Sequence, residues 1–330
     1  MEKKIVLVDL LGVKAHKKLL KIMFDELNVL GNTILISSKS FCDGFDVDKV
    51  HHLPSENFTF NNIREVFYKQ KKNITLAKKI IRTEKLTDAI VIITSFENIT
   101  LSLFWRKFEH RRAAFLHNNL DRSRLSKLFF FLLPRNIILL GFTESIKQKL
   151  VSKKYNVEVI NFPISFSPED NFLNKKGKYF FAPSGSTLPQ EYDDLLINFL
   201  TERGIKLYRK GKKENVIENC IIEKPFFNDY EELLKESLAT LIYCPYDYRA
   251  SGVFYDAMCF NKKVIIIGKE GEFLKEMKKK YPNTIFNLDE AMLSVDNELK
   301  KDDYNNFLEN HSKENLNKQL RAVIESQTAK

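Results

Sequence analysis

Four residues that could bind a nucleotide lie within one short stretch of the chain. Ser251 and Gly252 stand at the predicted start of a helix, where free backbone amides and the positive end of the helix dipole favour a phosphate. Arg249 precedes them and can pair with the same phosphate. Asp256 follows about one turn later, where its carboxylate could accept hydrogen bonds from a ribose diol. A phosphate site beside a diol site predicts nucleotide binding. The alternative is that Ser251 is only an N-cap and Asp256 only an acid near a helix start.

Two further places in the second half of the chain could contact the same ligand. Ser184 and Gly185 belong to a small-residue loop that follows a strand-like run at 179–182, and such a loop lets a ligand approach the backbone closely. Arg209 and Lys210 end another strand-like run. A basic group there could neutralise a diphosphate.

Two residues of the first half have side chains suited to proton transfer. Glu97 follows a predicted strand at 88–94, and His117 ends the next predicted strand at 113–117. Ligands of open α/β sheets bind outside the carboxyl ends of the strands, so both residues are predicted to face a substrate. The alternative for His117 is a hydrogen-bonded residue at a strand end.

The elements that position these residues alternate between strand and helix. A nearly continuous apolar run at 4–10, a helical stripe at 19–27 and a second run at 33–37 predict a β-α-β start with a buried parallel sheet. Helices are predicted at 63–70 and at 74–82. The first β-α turn lacks G-x-G-x-x-G, and glycine is scarce, with 11 among 330 residues. An NAD-binding Rossmann fingerprint is therefore not expected.

The chain is long enough for two α/β domains. Its 330 residues exceed what one core usually serves. A polar segment at 165–178 predicts the boundary between a domain of residues 1–165 and a domain of residues 166–330.

The segment Asp256-Ala-Met and the strand after it resemble the C-terminal domain of GT-B glycosyltransferases, particularly the family 4-like enzymes of bacterial polysaccharide and lipopolysaccharide synthesis. The run at 137–150 is also similar to a strand, turn and helix of their N-terminal domain. This chain departs from the family where Tyr248 replaces a glutamate, and where Asn261 and Lys263 replace a glycine and a proline.

The resemblance implies two Rossmann-like domains that face a cleft, with a C-terminal helix at 305–324 returning to the N-terminal domain. It implies that Asp256 binds the ribose of a nucleotide sugar and that the preceding loop binds its diphosphate. The acceptor, a glycan or lipid-linked glycan, would lie on the first domain. If the reaction inverts the configuration of the transferred sugar, His117 or Glu97 is the candidate base, whereas a reaction that retains the configuration needs no side-chain base.

No metal and no cofactor is expected for such a reaction. Arg249, Lys210 and the amides at a helix start can stabilise the charge that develops on the diphosphate leaving group. Four widely spaced cysteines without a C-x-x-C pair predict a reducing compartment and no structural zinc. No signal peptide is recognised, and the apolar run at 128–133 is far shorter than the roughly 20 residues that span a bilayer, so a cytoplasmic location is expected.

The positive charge is concentrated in the first half of the chain. Residues 1–165 hold 28 Lys and Arg against 16 Asp and Glu, whereas residues 166–330 hold 25 against 27. The run at 122–135, preceded by a basic stretch at 105–112, interleaves leucine and phenylalanine with arginine and lysine. Such a pattern favours an anionic membrane surface. The alternatives are a core helix with a basic outer face and a solvated Lys-rich surface.

Three other functions remain open from the sequence. A non-catalytic GT-B-like subunit is an alternative because the family's glutamate is missing at Tyr248. A nucleotide-sugar epimerase of the same fold would change the sugar without an acceptor. A nucleic-acid binder would use the basic first half, but no nucleic acid is expected as a partner because no recognised reading motif is present.

Overall fold

The structure of the chain is a computed structural model, which describes residues 3–13, 16–42, 45, 49–54, 63–86, 88–106, 110–164, 177–184, 189–294 and 301–328. The predicted linker at 165–178 lies mostly outside these ranges. The chain divides into two compact units, which we call the first unit (residues 1–165 and 312–330) and the second unit (residues 166–311). Each unit has its own sheet and its own helices, which confirms the predicted α/β class.

The described part of the first unit contains a parallel sheet. Its strands are β1 (Lys4–Asp9), β2 (Asn32–Ser38), β3 (Val50–Leu53), β4 (Ile90–Ser95), β5 (Arg112–Phe115), β6 (Ile138–Gly141) and β7 (Asn156–Val159). Their order is β3-β2-β1-β4-β5-β6-β7, and each neighbouring pair runs parallel. The central strands are buried because their apolar runs are continuous; Val8, for example, pairs with Ile36 on one side and with Ile93 on the other.

The helices of the first half bury the apolar stripes of their sequences. They are α1 (Lys17–Leu30), α2 (Ile63–Thr83), α3 (Asn98–Phe104), α4 (Arg124–Phe130) and α5 (Glu144–Val151). In α1 the buried face consists of Leu20, Met23 and Leu27 with their neighbours on the same stripe. The two helices predicted at 63–70 and 74–82 form one helix, α2. Asn73, at their junction, is buried and donates a hydrogen bond from Nδ2 to the carbonyl oxygen of Leu10 at 3.1 Å.

The second unit contains another sheet, in which one edge strand is antiparallel. Its strands are β8 (Tyr179–Ala182), β9 (Lys206–Lys210), β10 (Asn215–Ile217), β11 (Ile221–Lys224), β12 (Ser237–Ile242), β13 (Lys263–Ile266) and β14 (Ile285–Asn287). Their order is β10-β11-β9-β8-β12-β13-β14. The strand β10, which was not predicted from the sequence, pairs antiparallel with β11, while the other pairs are parallel.

The helices of the second unit are α6 (Asp193–Arg203), α7 (Tyr230–Glu236), α8 (Gly252–Cys259), α9 (Glu272–Lys280), α10 (Leu288–Ser294) and α11 (Lys301–Asn310). The helix expected at 305–324 is divided at His311 into α11 and a last helix, α12 (Lys313–Thr328). The α12 helix belongs to the first unit and packs on α1. There Asn317 Nδ2 donates to Glu26 Oε2 at 3.2 Å, and Leu316 and Leu320 are buried.

Within the described ranges, no helix combines the length and the apolar content needed to cross a bilayer.

Acid is expected to destabilise the first unit through His110. Burial lowers the pKa of His110 below its usual value of 6.5. The positive charges of Arg112 and Arg82 also lower this pKa, and together these effects outweigh a backbone hydrogen bond at Leu86 and the charge of Asp88, which raise it. The unfolded chain therefore binds a proton that the folded chain resists, so the free energy of unfolding falls as the pH drops below about 6.5. We expect His110→Gln to lose less stability than the wild type between about pH 7 and pH 5, measured by urea unfolding. Equal losses in both proteins would contradict this role of His110.

Candidate functional site

A pocket opens in the second unit where the strand order reverses. From β8 the chain proceeds outward through β9 and β11, whereas from β12 it proceeds through β13 and β14 on the other side. Ligands of open α/β sheets bind at such a switch point. The pocket has a volume of about 250 Å³ and is lined by Ser184, Tyr243, Cys244, Tyr246, Arg249, Ala250, Ser251, Gly252 and Val253. The Ser184 hydroxyl donates to the carbonyl oxygen of Tyr243 at 3.4 Å, which links the two sides of the pocket.

The start of α8 faces this pocket. Ser251 is the N-cap, and its hydroxyl accepts a hydrogen bond from the amide of Phe254 at 3.3 Å. The first amides of a helix have no acceptor within it, and Gly252 and Val253 line the pocket. Gly252 is exposed, and a Cβ built on it would have no heavy atom within 4 Å. The positive end of the helix dipole thus borders open space, as an anion site requires.

Arg249 is the cation of the pocket wall. It is exposed, and its guanidinium lies 5.0 Å from the centre of the Tyr246 ring. The described residues include no carboxylate that forms an ion pair with Arg249. Its charge is therefore available to an anionic ligand.

Asp256 lies one turn into α8 and does not line the pocket. Its Oδ2 accepts a hydrogen bond from the hydroxyl of Tyr230 at 2.8 Å. Burial raises the pKa of Tyr230, and the adjacent Asp256 carboxylate raises it further, so this hydroxyl stays protonated and keeps donating. Sequence reasoning missed Tyr230, because nothing in the sequence pairs residues on α7 and α8. The ribose role of Asp256 stays a prediction.

Arg209 does not face the pocket, contrary to the diphosphate role predicted for it. It is buried, its Nε donates to Glu223 Oε1 at 2.9 Å, and its terminal nitrogens donate to both carboxylate oxygens of Asp193. Burial alone would lower the pKa of Arg209, but the hydrogen bonds and charges of the two acids outweigh burial and raise it. The guanidinium is neutralised inside the protein and is not available to a phosphate.

Of the other two predicted ligand residues of the second unit, only Lys210 is among the described residues. Lys210 is exposed at the carboxyl end of β9 and does not contribute to the pocket wall. Gly185 lies outside the described residues, although its neighbour Ser184 is in the wall. The structure thus brings together Ser184, Arg249, Ser251 and Gly252.

Gly271, which sequence reasoning missed, keeps the pocket loop close to α9. A Cβ at this position would overlap the carbonyl oxygen of Tyr246. Next to it, the amide of Phe273 donates to the carbonyl oxygen of Asp247 at 2.8 Å. A glycine just before a helix was the available signal, but it does not reveal which loop packs against it.

In the first unit, His117 lies just past the carboxyl end of β5. Its Nε2 is 2.7 Å from the carbonyl oxygen of Thr94. A carbonyl oxygen only accepts, so Nε2 carries a proton and, in the neutral ring, Nδ1 carries the lone pair. The ring is half-buried and lies 5.5 Å from the ring of Phe142.

His16 stacks on His117, with ring centres 4.1 Å apart and planes 16° apart. It is the N-cap of α1 and follows the loop after β1. Sequence reasoning missed His16. The signal was a histidine directly before the first apolar helical stripe, but only the fold brings the β1 and β5 ends together.

Glu97 caps α3. Its Oε2 accepts from the amides of Ile99 at 2.8 Å and of Thr100 at 3.2 Å. Its Oε1 accepts from the hydroxyl of Ser126 at 3.2 Å. Both carboxylate oxygens are thus engaged by hydrogen bonds from α3 and α4. The geometry is that of a helix cap, and the catalytic role predicted for Glu97 has no support from it.

The described residues contain no group of three or more His, Cys, Asp or Glu side chains that could hold a metal ion.

No protein-family model and no curated protein sequence matches the chain. Several solved structures are similar in fold. Sucrose-phosphate synthase from Thermosynechococcus elongatus gives a TM-score of 0.70 at 10% identity over 99% of both chains. Anabaena HepE, solved with UDP and glucose, gives 0.66 at 12% identity over 98% of this chain and 100% of that one. A glycosyltransferase from Rickettsia africae gives 0.66 at 14% identity over 99% of this chain and 98% of that one.

These similarities extend over nearly the whole of each chain, so they concern both units and not one Rossmann-like half. At such low identities they establish the fold alone. The chain has the fold of the GT-B glycosyltransferases.

Proposed function

We propose that the protein is a glycosyltransferase that moves a sugar from a nucleotide diphosphate sugar to a hydroxyl of a glycan or lipid-linked glycan, in the synthesis of a cell-surface polysaccharide or lipopolysaccharide. One observation carries the proposal. The start of α8 borders an open pocket at the switch point of the second unit, with the Arg249 guanidinium in the same wall. Backbone amides, a helix dipole and an arginine together form a site for the diphosphate of a donor.

The same groups would assist the reaction. As the bond between sugar and diphosphate breaks, negative charge grows on the phosphate oxygens, and donors already aimed at that position lower the barrier. Arg249, Gly252 and Val253 line the pocket and would supply these donors, and Lys210 is an additional exposed cation on the same unit. We propose that these cations replace a divalent metal.

The candidate base for an inverting reaction is His117. Its Nε2 donates to the carbonyl oxygen of Thr94, so the lone pair on Nδ1 is the one that could accept a proton from an acceptor hydroxyl within hydrogen-bond reach. Glu97 is the weaker candidate because both of its oxygens accept hydrogen bonds from α3 and α4. A retaining reaction would need neither.

The first donor to test is UDP-glucose, because HepE was solved with UDP and glucose. The purified chain is heated with UDP, GDP, CMP and dTDP sugars in turn, since a ligand that binds only the folded protein raises its melting temperature. We expect one nucleotide class to raise it. Failure of every nucleotide sugar would contradict the proposal.

Product analysis then separates the remaining functions. Transfer to a glycan acceptor, unchanged by EDTA, supports the metal-independent glycosyltransferase, whereas loss of transfer in EDTA contradicts its metal-independent part. A changed sugar nucleotide without acceptor indicates an epimerase. Nucleotide binding without any turnover favours a non-catalytic subunit, which the Tyr248 departure from the family also suggests.

Replacing Asp256 with alanine is expected to weaken donor binding by about 10- to 100-fold, because hydrogen bonds to a charged group contribute roughly 1.5–3 kcal/mol. Tyr230→Phe removes only the partner of Oδ2 and should have a smaller effect. His117→Ala should instead lower the rate of sugar transfer and leave the affinity for the nucleotide unchanged. Affinity is measured by calorimetry, with the exposed Glu232→Ala on α7 as a control. Unchanged nucleotide affinity in Asp256→Ala would reject the ribose role.

A further inference from the structure

The outward side of α4 and of the turn after it exposes large apolar side chains. Leu125 and Leu128 are each 58% exposed, Leu132 is 47% exposed and Phe131 is 38% exposed. Their spacing of three and four residues places them on one side of the helix. We call these four residues the α4 face.

The exposure of the α4 face does not come from a loosely attached helix. Phe130 and Leu133, on the inward side, are 0% and 2% exposed. The hydroxyl of Tyr155 donates to the carbonyl oxygen of Phe130 at 3.1 Å. Ser123 caps the helix by accepting from the amide of Ser126. The helix is therefore anchored, and its sequence presents two apolar sides, of which only one enters the core.

Positive charge surrounds the α4 face. Arg124, Lys127 and Arg135 are exposed, and no Asp or Glu occurs from residue 122 to residue 143. Arg135 donates from Nη1 to the carbonyl oxygen of Lys153 at 2.9 Å, so the exposed Lys153 and Lys154 lie beside it. The basic stretch that precedes α4 is only partly described, because residues 107–109 lie outside the described ranges.

The combination of exposed apolar side chains and surrounding cations fits an anionic lipid surface better than it fits a second copy of the chain. In a symmetric dimer the same patch meets itself, which would bring two arginine- and lysine-rich rims together. An anionic lipid surface instead accepts the leucine and phenylalanine side chains at its acyl boundary and attracts the cations to its headgroups.

The inward side of α4 connects the α4 face to His117. The Ser126 hydroxyl donates to Glu97 Oε1, and Asn98 Nδ2 donates to the carbonyl oxygen of Ser126 at 3.2 Å. Asn119 Nδ2 donates to Asn98 Oδ1 at 2.7 Å, and Asn119 Oδ1 accepts from the amide of His117 at 3.2 Å. A surface bound to the outward side of α4 would thus be held in a fixed position relative to the His117 loop.

We propose that the α4 face and its surrounding cations dock the first unit on an anionic lipid bilayer. Docking places the His117 loop close to the headgroup region, where the sugar of a lipid-linked acceptor would lie. The acceptor part rests on the proposed glycosyltransferase function. The docking part does not, because vesicle binding requires neither a donor nor turnover.

The test is flotation of the full chain with vesicles of phosphatidylcholine alone and of phosphatidylcholine with phosphatidylglycerol. We expect binding to the anionic vesicles only, decreasing with added salt. Leu125→Asn with Leu128→Asn should weaken binding by at least about tenfold, because less apolar area enters the bilayer. Arg124→Gln and Lys127→Gln should each weaken it about fivefold, as expected for one positive charge near an anionic surface.

Matched controls lie on the second unit. Leu195 is 41% exposed and Lys212 is exposed, so Leu195→Asn and Lys212→Gln should leave binding unchanged. Equal binding to neutral vesicles, no binding, or equal losses in the controls would overturn the proposal.

Two other outcomes would assign the α4 face to a different partner. If sedimentation shows a dimer and Leu128→Asn dissociates it, the α4 face binds a second copy of the chain instead. If the protein is retained on nucleic acid, does not bind vesicles, and loses this retention in Lys127→Gln, the α4 face binds nucleic acid instead. Failure of docking with nucleotide binding intact leaves the proposed donor site standing.

Discussion

Gly252→Asp is expected to weaken nucleotide binding severely in a protein that remains folded. Gly252 is exposed, and a Cβ at this position would meet no heavy atom within 4 Å, so the new side chain starts in open space. An acid in the first turn of a helix is even favoured by the dipole. Its carboxylate, however, would lie where we place the diphosphate. Two like charges about 4 Å apart repel by up to about 4 kcal/mol near a protein surface, so affinity should fall about 100-fold or more.

The matched control is Gly252→Ala, which adds a Cβ without a charge. We expect its nucleotide affinity, measured by calorimetry, to stay within about threefold of the wild type, because the added methyl group contacts only open space. Melting temperatures without ligand verify that both variants fold. Normal nucleotide binding by Gly252→Asp would mean that the diphosphate does not bind at the start of α8.

Replacing Arg209 with leucine is expected to lower the free energy of unfolding by about 3–5 kcal/mol, the range observed when one member of a buried ion pair is removed. The side chain of Arg209 is only 6% exposed, and those of Asp193 and Glu223 are 14% and 16% exposed. Without the guanidinium, two carboxylates would remain largely buried with no cation between them. Urea unfolding measures the loss.

Further variants test whether loss of the buried ion pairs causes the lower stability of Arg209→Leu. Lys210→Leu changes the adjacent, exposed cation and should alter stability by no more than about 0.5 kcal/mol. Adding Asp193→Asn and Glu223→Gln to Arg209→Leu should recover part of the lost stability, because the uncompensated charges are gone. A small effect of Arg209→Leu, or equal effects at both positions, would show that this ion pair contributes little.

The sheets could be predicted from the sequence because buried parallel strands are continuous apolar runs. Residues 4–10 and 88–94 each overlap a central strand of the first sheet. The start of α8 was predictable for a related reason, since Ser251 and Gly252 follow a strand and precede an apolar stripe. Local pattern therefore located both the strand ends and the helix start that form the pocket.

Contacts between distant residues could not be predicted in this way. Arg209 and Lys210 are adjacent and chemically alike, yet alternation along β9 buries one among acids and exposes the other. Asn73 looked like a break between two helices, but the buried carbonyl oxygen of Leu10 accepts its hydrogen bond and α2 continues. The stacking of His16 on His117 likewise depends on the order of strands in the sheet.

The position of α12 affects how the protein is made. Its buried Leu316, Leu320 and Val323 belong to a unit whose other residues are the first 165 of the chain, and Asn317 bonds Glu26 across 291 positions of sequence. During translation, that surface of α1 stays uncovered until the ribosome has released the helix that covers it. The first unit is therefore completed only after residues 166–311 have been synthesised.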